Sequence, residues 1–175
     1  PYYNAFFQTT TPYTAELSQK LSEVTPKGIE RFFFANSGSE GNDSAIKIIR
    51  YFWNLQKKPK KKIFIARKKA YHGVTLGAAS LSGLTSMHPQ ADLPMPGFVH
   101  IDCPYWYGEG GDMSPEEFGL KTARALEEKI LELGADNVAA FVAEPVQGAG
   151  GLIIPPATYW GEINRICTEN LTGQN

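Results

Sequence analysis

A run of small and polar residues, 36–43, lies between an apolar segment and an amphipathic one. It reads Asn-Ser-Gly-Ser-Glu-Gly-Asn-Asp, and hydroxyls and backbone amides in such a run can bind an anion. The Phe-rich residues 31–35 before it predict a buried strand, and residues 44–55 after it predict a helix. A strand that turns into a helix through Ser-Gly-Ser presents unpaired N–H groups at the helix N-terminus. The sequence therefore predicts a phosphate site here, with an ordinary capped turn as the alternative.

Two further groups of residues follow apolar segments in the same way. Tyr71, in the turn Tyr-His-Gly, can stack on a flat ligand, and Gly73 lets the backbone approach closely. Glu144 precedes Pro145, which favours extended backbone and puts a carboxylate at the end of a strand. The alternatives are a packed corner for the first group and a Gly-rich connection with one acid for the second. A fourth segment, 103–107, is interpreted as a packed aromatic loop without clear chemistry.

Strands and helices alternate along the chain. The motif Ser114-Pro-Glu-Glu117 predicts a capped helix start, and Gly134 suits its end. In the helix over 44–55 one apolar face is expected, formed by Ala45, Ile48, Ile49, Phe52 and Leu55. The predicted strands are 63–66, 99–101 and 138–143, and the predicted later helices are 74–84, 115–133 and 156–167. Repeated strand and helix with continuous apolar runs indicates an α/β fold with a largely parallel sheet, which binds ligands beyond the carboxyl ends of its strands.

Composition limits the classes of function. The chain has 175 residues and a net charge of -1, so no overall field favours nucleic acid or a membrane surface. The basic run 57–62 is interpreted as a solvated loop. Cys103 and Cys167 form no paired motif, which predicts neither zinc nor a disulfide scaffold and favours a reduced cytoplasmic setting. No segment approaches a membrane span, and the start without Met suggests a fragment.

Taken in this order and at these separations, the segments 36–43, 71–73 and 144–148 resemble class III aminotransferases that depend on pyridoxal 5'-phosphate. The segments 3–10, 92–97 and 155–160 are similar to the omega-amino acid:pyruvate transaminase branch, and the likeness covers about residues 2–167. The resemblance implies the large domain of a fold type I enzyme, three-layer α/β/α with a mostly parallel sheet, here incomplete. Its expected limits are 1–167, with 168–175 as a divergent polar tail.

The resemblance also implies roles for single residues. Gly38 and Ser39 match residues that hold the cofactor phosphate, and Tyr71 matches the tyrosine that stacks on the pyridine ring, with His72 beside it. Glu144 matches an acid close to the cofactor, without an assigned proton-transfer role. Two aromatic residues of the substrate pocket near a homodimer interface are matched by Phe6 and Phe7.

The implied reaction moves an amino group from an amine or omega-amino acid to pyruvate or another keto acid. Family members continue beyond the position of Cys167 into a strand with an Asp for the pyridinium nitrogen and then the Schiff-base Lys, which residues 168–175 do not match. No catalytic residue is therefore assigned, and this chain alone is expected to lack transaminase activity. The alternatives are a non-catalytic fragment or pseudoenzyme that binds pyridoxal phosphate or phosphate, and another fold type I chemistry such as a decarboxylase or racemase.

Overall fold

The computed structural model describes residues 9–172, and the chain divides into two compact units, Pro1–Asn36 and Ser37–Asn175. The first unit contains helix α1, Pro12–Val24, whose start is capped by the Thr11 side chain. Residues 31–35 form no strand, so that prediction was wrong. A parallel strand needs a neighbour for its backbone hydrogen bonds, and within residues 9–172 no strand pairs with this segment.

The second unit is built on a three-stranded parallel sheet. Its strands are β1, Ile63–Arg67, β2, Phe98–Ile101, and β3, Val138–Phe141, in the order β2-β1-β3. In the register, Ile65 lies opposite Val99 on one side and Phe141 on the other. These three strands confirm the sequence prediction to within one or two residues. Because all three are parallel, their carboxyl ends lie at one edge of the sheet.

Helices connect the strands and cover both faces of the sheet. They are α2, Gly38–Leu55, α3, Leu76–Leu81, α4, Trp106–Glu109, α5, Pro115–Leu133, and α6, Tyr159–Asn170. The capping box of α5 is confirmed, since the Glu117 amide donates to the Ser114 hydroxyl at 3.2 Å and the Ser114 amide donates to the Glu117 carboxylate at 3.0 Å. The last helix ends three residues later than predicted, and Leu171 beyond it is buried.

The core has one hydrophobic cluster on each face of the sheet. Ile65 and Val138 pack with α5 and α6 through Leu126, Ile130 and Ile166. On the opposite face, the helices α2 and α3 contribute to a cluster of Trp53, Phe64, Ala66, Leu81 and Phe98. Side chains of a strand alternate between the two faces, so Phe64 and Ile65 belong to different clusters. The predicted three-layer α/β/α architecture is confirmed.

Helix α2 differs from the prediction in its start and in its buried face. It begins at Gly38, six residues before the predicted start at 44. The side chains that pack on the core are Ile46, Ile49 and Trp53, whereas three residues of the predicted face, Ile48, Phe52 and Leu55, are exposed. The helix carries two apolar stripes, and periodicity alone does not show which of them packs on the sheet.

The basic run 57–62 is not wholly a solvated loop, because Lys61 is only 3% exposed. Its ammonium group donates to the carbonyls of Ala135 at 2.8 Å and Val138 at 3.1 Å, and it lies 4.6 Å from the ring centroid of Trp53. Burial lowers the pKa of Lys61 below its ordinary value. The solvated interpretation was wrong here because a lysine can use its three N–H groups to pair backbone carbonyls inside a core.

Replacing Lys61 should therefore destabilise the second unit. In Lys61→Met the aliphatic stem remains, but the carbonyls of Ala135 and Val138 lose their donor. We expect the free energy of unfolding to fall by about 1–3 kcal/mol in urea denaturation. The control is Lys60→Met, at an exposed position of the same run. Equal unfolding midpoints for the two variants would contradict this role.

A network of ion pairs between α5 and α6 should make the free energy of unfolding depend on pH in the acid range. Glu162 lies 3.2 Å from Nε of Arg124 and 2.9 Å from Nη2 of Arg165, and these arginines lower its pKa from 4.5 to about 2. Because the folded-state pKa is depressed, this stabilisation is present above pH 4.5 and is lost as the pH falls toward 2. The loss of stability over this range should be smaller in Glu162→Gln than in Glu128→Gln, a control at an exposed position of α5. Identical acid unfolding curves for the two variants would exclude the effect.

Candidate functional site

The site begins at the N-terminus of α2, which lies within the predicted phosphate run 36–43. Ser37 has extended backbone, and its hydroxyl accepts a hydrogen bond from the Glu40 amide at 3.2 Å, which fixes the helix start. The amides of Gly38 and Ser39 come before the first intrahelical hydrogen bond and have no acceptor within the helix. A Cβ built on Gly38 would meet no described atom within 4 Å apart from its chain neighbours and its own helix. The capped turn is thus present, and it leaves the amides of Gly38 and Ser39 without an acceptor in the helix.

The Ser39 hydroxyl connects this helix to the turn that follows β1. It accepts a hydrogen bond from the Val74 amide at 3.0 Å, and the Thr75 hydroxyl donates to the Ser39 carbonyl at 3.4 Å. A hydroxyl that accepts one hydrogen bond keeps its own hydrogen for another acceptor. Ser39 therefore holds the turn and can still donate to an anion.

Further along α2, Asn42 contacts the same turn and Asp43 contacts the helix α3 that follows it. The Asn42 side-chain amide donates to the His72 carbonyl at 2.6 Å, and the Asp43 carboxylate accepts from the Ala78 amide at 3.0 Å. Sequence reasoning assigned neither residue a role. The signal was present, since Asn and Asp side chains near the start of a helix are suited to hydrogen-bond another backbone segment.

Gly73 allows α2 and this turn to come into direct contact. Its φ of +135° is unfavourable for other residues, and a Cβ built on it would lie 2.5 Å from Ser39 Oγ and 2.9 Å from Ser39 Cα. The backbone at Gly73 does come close to another segment, the first turn of α2, and its approach to a ligand stays a prediction.

Gly73→Ala should destabilise the second unit, because it combines a steric clash with unfavourable backbone. We expect the free energy of unfolding to fall by about 1–3 kcal/mol, measured by thermal or urea denaturation. The matched control is Gly161→Ala in α6, where an added Cβ meets no atom within 4 Å. The helical Gly161→Ala should be neutral or slightly stabilising, and equal destabilisation by both changes would argue against the close contact.

Tyr71 and His72 have opposite exposures in this turn. The Tyr71 side chain is 39% exposed, and its backbone amide donates to Glu144 Oε1 at 3.0 Å. His72 is buried, and its amide donates to the Ser82 hydroxyl at 2.8 Å. Burial lowers the pKa of His72, which favours the neutral form of its imidazole. Tyr71 offers an accessible ring, whereas His72 anchors the turn.

Glu144 connects the loop after β3 to the Tyr71 turn. Its carboxylate accepts from the Tyr71 amide and, through its other oxygen, from the Gly148 amide, both at 3.0 Å. The loop is closed by Gln147, whose backbone pairs with Ile153 at 3.1 and 2.9 Å. The buried Gln147 side chain donates to the Lys68 carbonyl at 3.0 Å. The carboxylate therefore fixes two backbone amides within the site.

Three of the predicted segments are thus joined by hydrogen bonds at the carboxyl edge of the sheet. In the fourth, 103–107, Cys103 and Pro104 are buried but Tyr107 is exposed, so only part of the loop is packed. Phe6 and Phe7 lie outside the described residues. Within residues 9–172 no group of side chains is arranged to hold a metal ion, and no helix is long and apolar enough to cross a membrane.

Lys68 and Lys69, which follow β1, are each held by a carboxylate. Lys68 pairs with Asp102 at 2.6 Å and Lys69 with Glu109 at 2.9 Å, and these contacts raise the pKa of both lysines. A lysine that attacks a carbonyl must first lose its proton. Neither lysine is therefore suited to act as a nucleophile.

The three-layer fold is that of the fold type I transferases dependent on pyridoxal phosphate. It superimposes with a TM-score of 0.92 on an omega transaminase from Pseudomonas jessenii solved in complex with PMP, at 43% identity over 96% of this chain and 37% of that one. The sequence model for Aminotransferase class-III matches residues 3–172. The chain belongs to the class III aminotransferase family, whose members depend on pyridoxal phosphate.

Relatives of known name support the same family. The chain is 53% identical over 166 residues to putrescine--pyruvate aminotransferase of Pseudomonas aeruginosa, covering 95% of this chain and 36% of that protein. It is 46% identical over 168 residues to the mitochondrial gamma aminobutyrate transaminase 1 of Solanum lycopersicum, covering 95% of this chain and 33% of that protein. The chain thus spans about a third of the length of the relatives it matches.

Proposed function

We propose that this chain is the cofactor-binding part of an aminotransferase that moves an amino group from an amine or omega-amino acid to pyruvate or another keto acid. The observation that carries the proposal is the hydrogen bond from the Val74 amide to Ser39 Oγ, which joins an open helix N-terminus to the Tyr71 turn. The likeness to a putrescine--pyruvate aminotransferase supports an amine donor and pyruvate as acceptor.

The N-terminus of α2 suits the phosphate of the cofactor. The amides of Gly38 and Ser39 and the hydrogen of the Ser39 hydroxyl would converge on one phosphate, and a Cβ added to Gly38 would meet no described atom outside its own helix and chain neighbours. The helix dipole adds roughly 0.3–1 kcal/mol per charge at an exposed end. Most of the affinity must therefore come from the hydrogen bonds.

The exposed ring of Tyr71 suits the pyridine ring of the cofactor. Stacking contributes on the order of 0.5–1.5 kcal/mol beyond the burial of area. Glu144 and His72 would act by holding the Tyr71 turn, because both oxygens of the Glu144 carboxylate already accept backbone amides and His72 is buried. When bound, the cofactor supplies the electron sink that amino-group transfer requires.

We propose a homodimer for the whole protein, with Phe6 and Phe7 at the substrate pocket, and neither nucleic acid nor a membrane as partner. A cytoplasmic setting is supported by Cys103 and Cys167, which are free thiols.

A non-catalytic role, in which this chain only binds pyridoxal phosphate or another phosphate ligand, is the second candidate. Lys68 and Lys69, which follow β1, are paired with carboxylates and offer no nucleophile there, which fits a role in binding alone. The two candidates separate when the whole protein is assayed: reversible binding without an imine absorption band would support this candidate, and amine-dependent formation of alanine from pyruvate would exclude it.

Titration of the purified chain with pyridoxal phosphate, followed by absorption, tests the site. Ser39→Ala and Tyr71→Ala should each weaken binding by roughly 3- to 10-fold, since each removes one contact of about 0.5–1.5 kcal/mol. Pyridoxal without its phosphate should bind more weakly to the wild-type chain and should be less affected by Ser39→Ala than pyridoxal phosphate is, because for this ligand the change acts only through the lost contact with the Val74 amide.

The matched control for Tyr71→Ala is Tyr107→Ala, because Tyr107 is exposed on α4. Its affinity should equal that of the unchanged chain. Unchanged affinity in both Ser39→Ala and Tyr71→Ala would refute the assignment of the site.

A further inference from the structure

Arg67, the last residue of β1, is fully buried although it carries a charge. Among the described residues its Nε and Nη1 groups have no hydrogen-bond partner. Arginine is almost never fully buried unless it is paired, because removing its charge from water is costly. A residue retained at such a cost needs an explanation beyond filling space.

The guanidinium group is in contact with two other elements. Its Nη2 donates a hydrogen bond to the main-chain carbonyl of Glu144, in the loop after β3. Its central carbon lies 5.7 Å from the ring centroid of Tyr159 and 5.4 Å from that of Trp160, both in the first turn of α6. Arg67 therefore joins the end of β1 to this loop and to α6.

The bond to Glu144 acts on a residue that itself holds the site. The Glu144 carboxylate accepts the amides of Tyr71 and Gly148, as described above. The loop that follows contains Gly148, Gly150 and Gly151, and glycine-rich backbone loses much conformational entropy when it is ordered. The hydrogen bond from Arg67 to the main chain of Glu144 restrains this loop, and it thereby keeps the Glu144 carboxylate in one position.

We propose that Arg67 is a positioning residue: it fixes the main chain of Glu144, and the Glu144 carboxylate in turn fixes the Tyr71 turn. Only the consequence for cofactor affinity rests on the proposed function, because the contacts themselves exist without a ligand. Arg67 is suited to this task because its planar guanidinium can stack on aromatic rings while it donates in its own plane. A lysine would keep the charge but not this geometry.

Amide hydrogen exchange, followed by NMR on the chain without cofactor, tests the proposal. In Arg67→Met the amides of Tyr71 and Gly148 should exchange at least about tenfold faster, because the carboxylate that accepts them is no longer fixed. The ladder amides of Lys62 and Phe64 should keep their rates. Arg67→Lys should show the same local pattern, and it serves as the test if Arg67→Met does not fold.

The matched control is Arg124→Met, which removes a surface arginine paired with Glu162 and should leave Tyr71 and Gly148 unchanged. Unchanged exchange at Tyr71 and Gly148 in the Arg67 variants, or equal acceleration at Lys62 and Phe64, would overturn the proposal.

With pyridoxal phosphate added, Arg67→Met and Glu144→Gln should each weaken its binding. The double variant should lose less binding free energy than the sum of the two single losses, because Arg67 acts through Glu144. Additive losses would contradict this order of action. Absence of cofactor binding in the wild-type chain would refute the proposed function and leave the exchange result to decide the role of Arg67.

Discussion

The direct contact between the first turn of α2 and the turn after β1 determines where the other parts of the site lie. Ser37 sets the helix start, which puts Ser39 against Gly73 and Val74. Because Gly73 has no side chain, the hydroxyl of Ser39 reaches the Val74 amide. Asn42 repeats the contact further along the helix, and Asp43 extends it to α3. A single packing contact therefore brings the proposed phosphate site and an exposed tyrosine together.

The opposite side of the Tyr71 turn is held by the loop after β3. Glu144 supplies the hydrogen bonds to the turn, and the buried Arg67 and Gln147 hold the loop itself. Polar groups of this kind are costly to bury, and they are retained where backbone segments without regular structure must be ordered. The site is thus a set of loops whose backbone amides are satisfied by side chains from neighbouring elements.

The sequence was sufficient to predict structure where a short motif determines the local backbone by itself. The capping box at Ser114 and Glu117 is of this kind, and so is Gly73 in its turn. Sequence reasoning failed where tertiary contacts decide. Residues 31–35 have the composition of a strand, but among residues 9–172 no strand pairs with them. Lys61 is buried, although Lys60 in the same basic run is exposed. Arg67 could have been noticed as a charge that ends an apolar strand, but its partners lie far away in sequence.

Family membership and the geometry of the site lead to the same central claim, that the N-terminus of α2 holds the cofactor phosphate and Tyr71 its ring. The most direct measurement is an NMR titration of the chain that follows its backbone amides. Inorganic phosphate should shift the amides of Gly38 and Ser39 while leaving Tyr71 in place, and pyridoxal phosphate should shift all three. Phosphate-induced shifts confined to other parts of the chain, or pyridoxal phosphate shifts that leave Gly38 and Ser39 unchanged, would contradict the account.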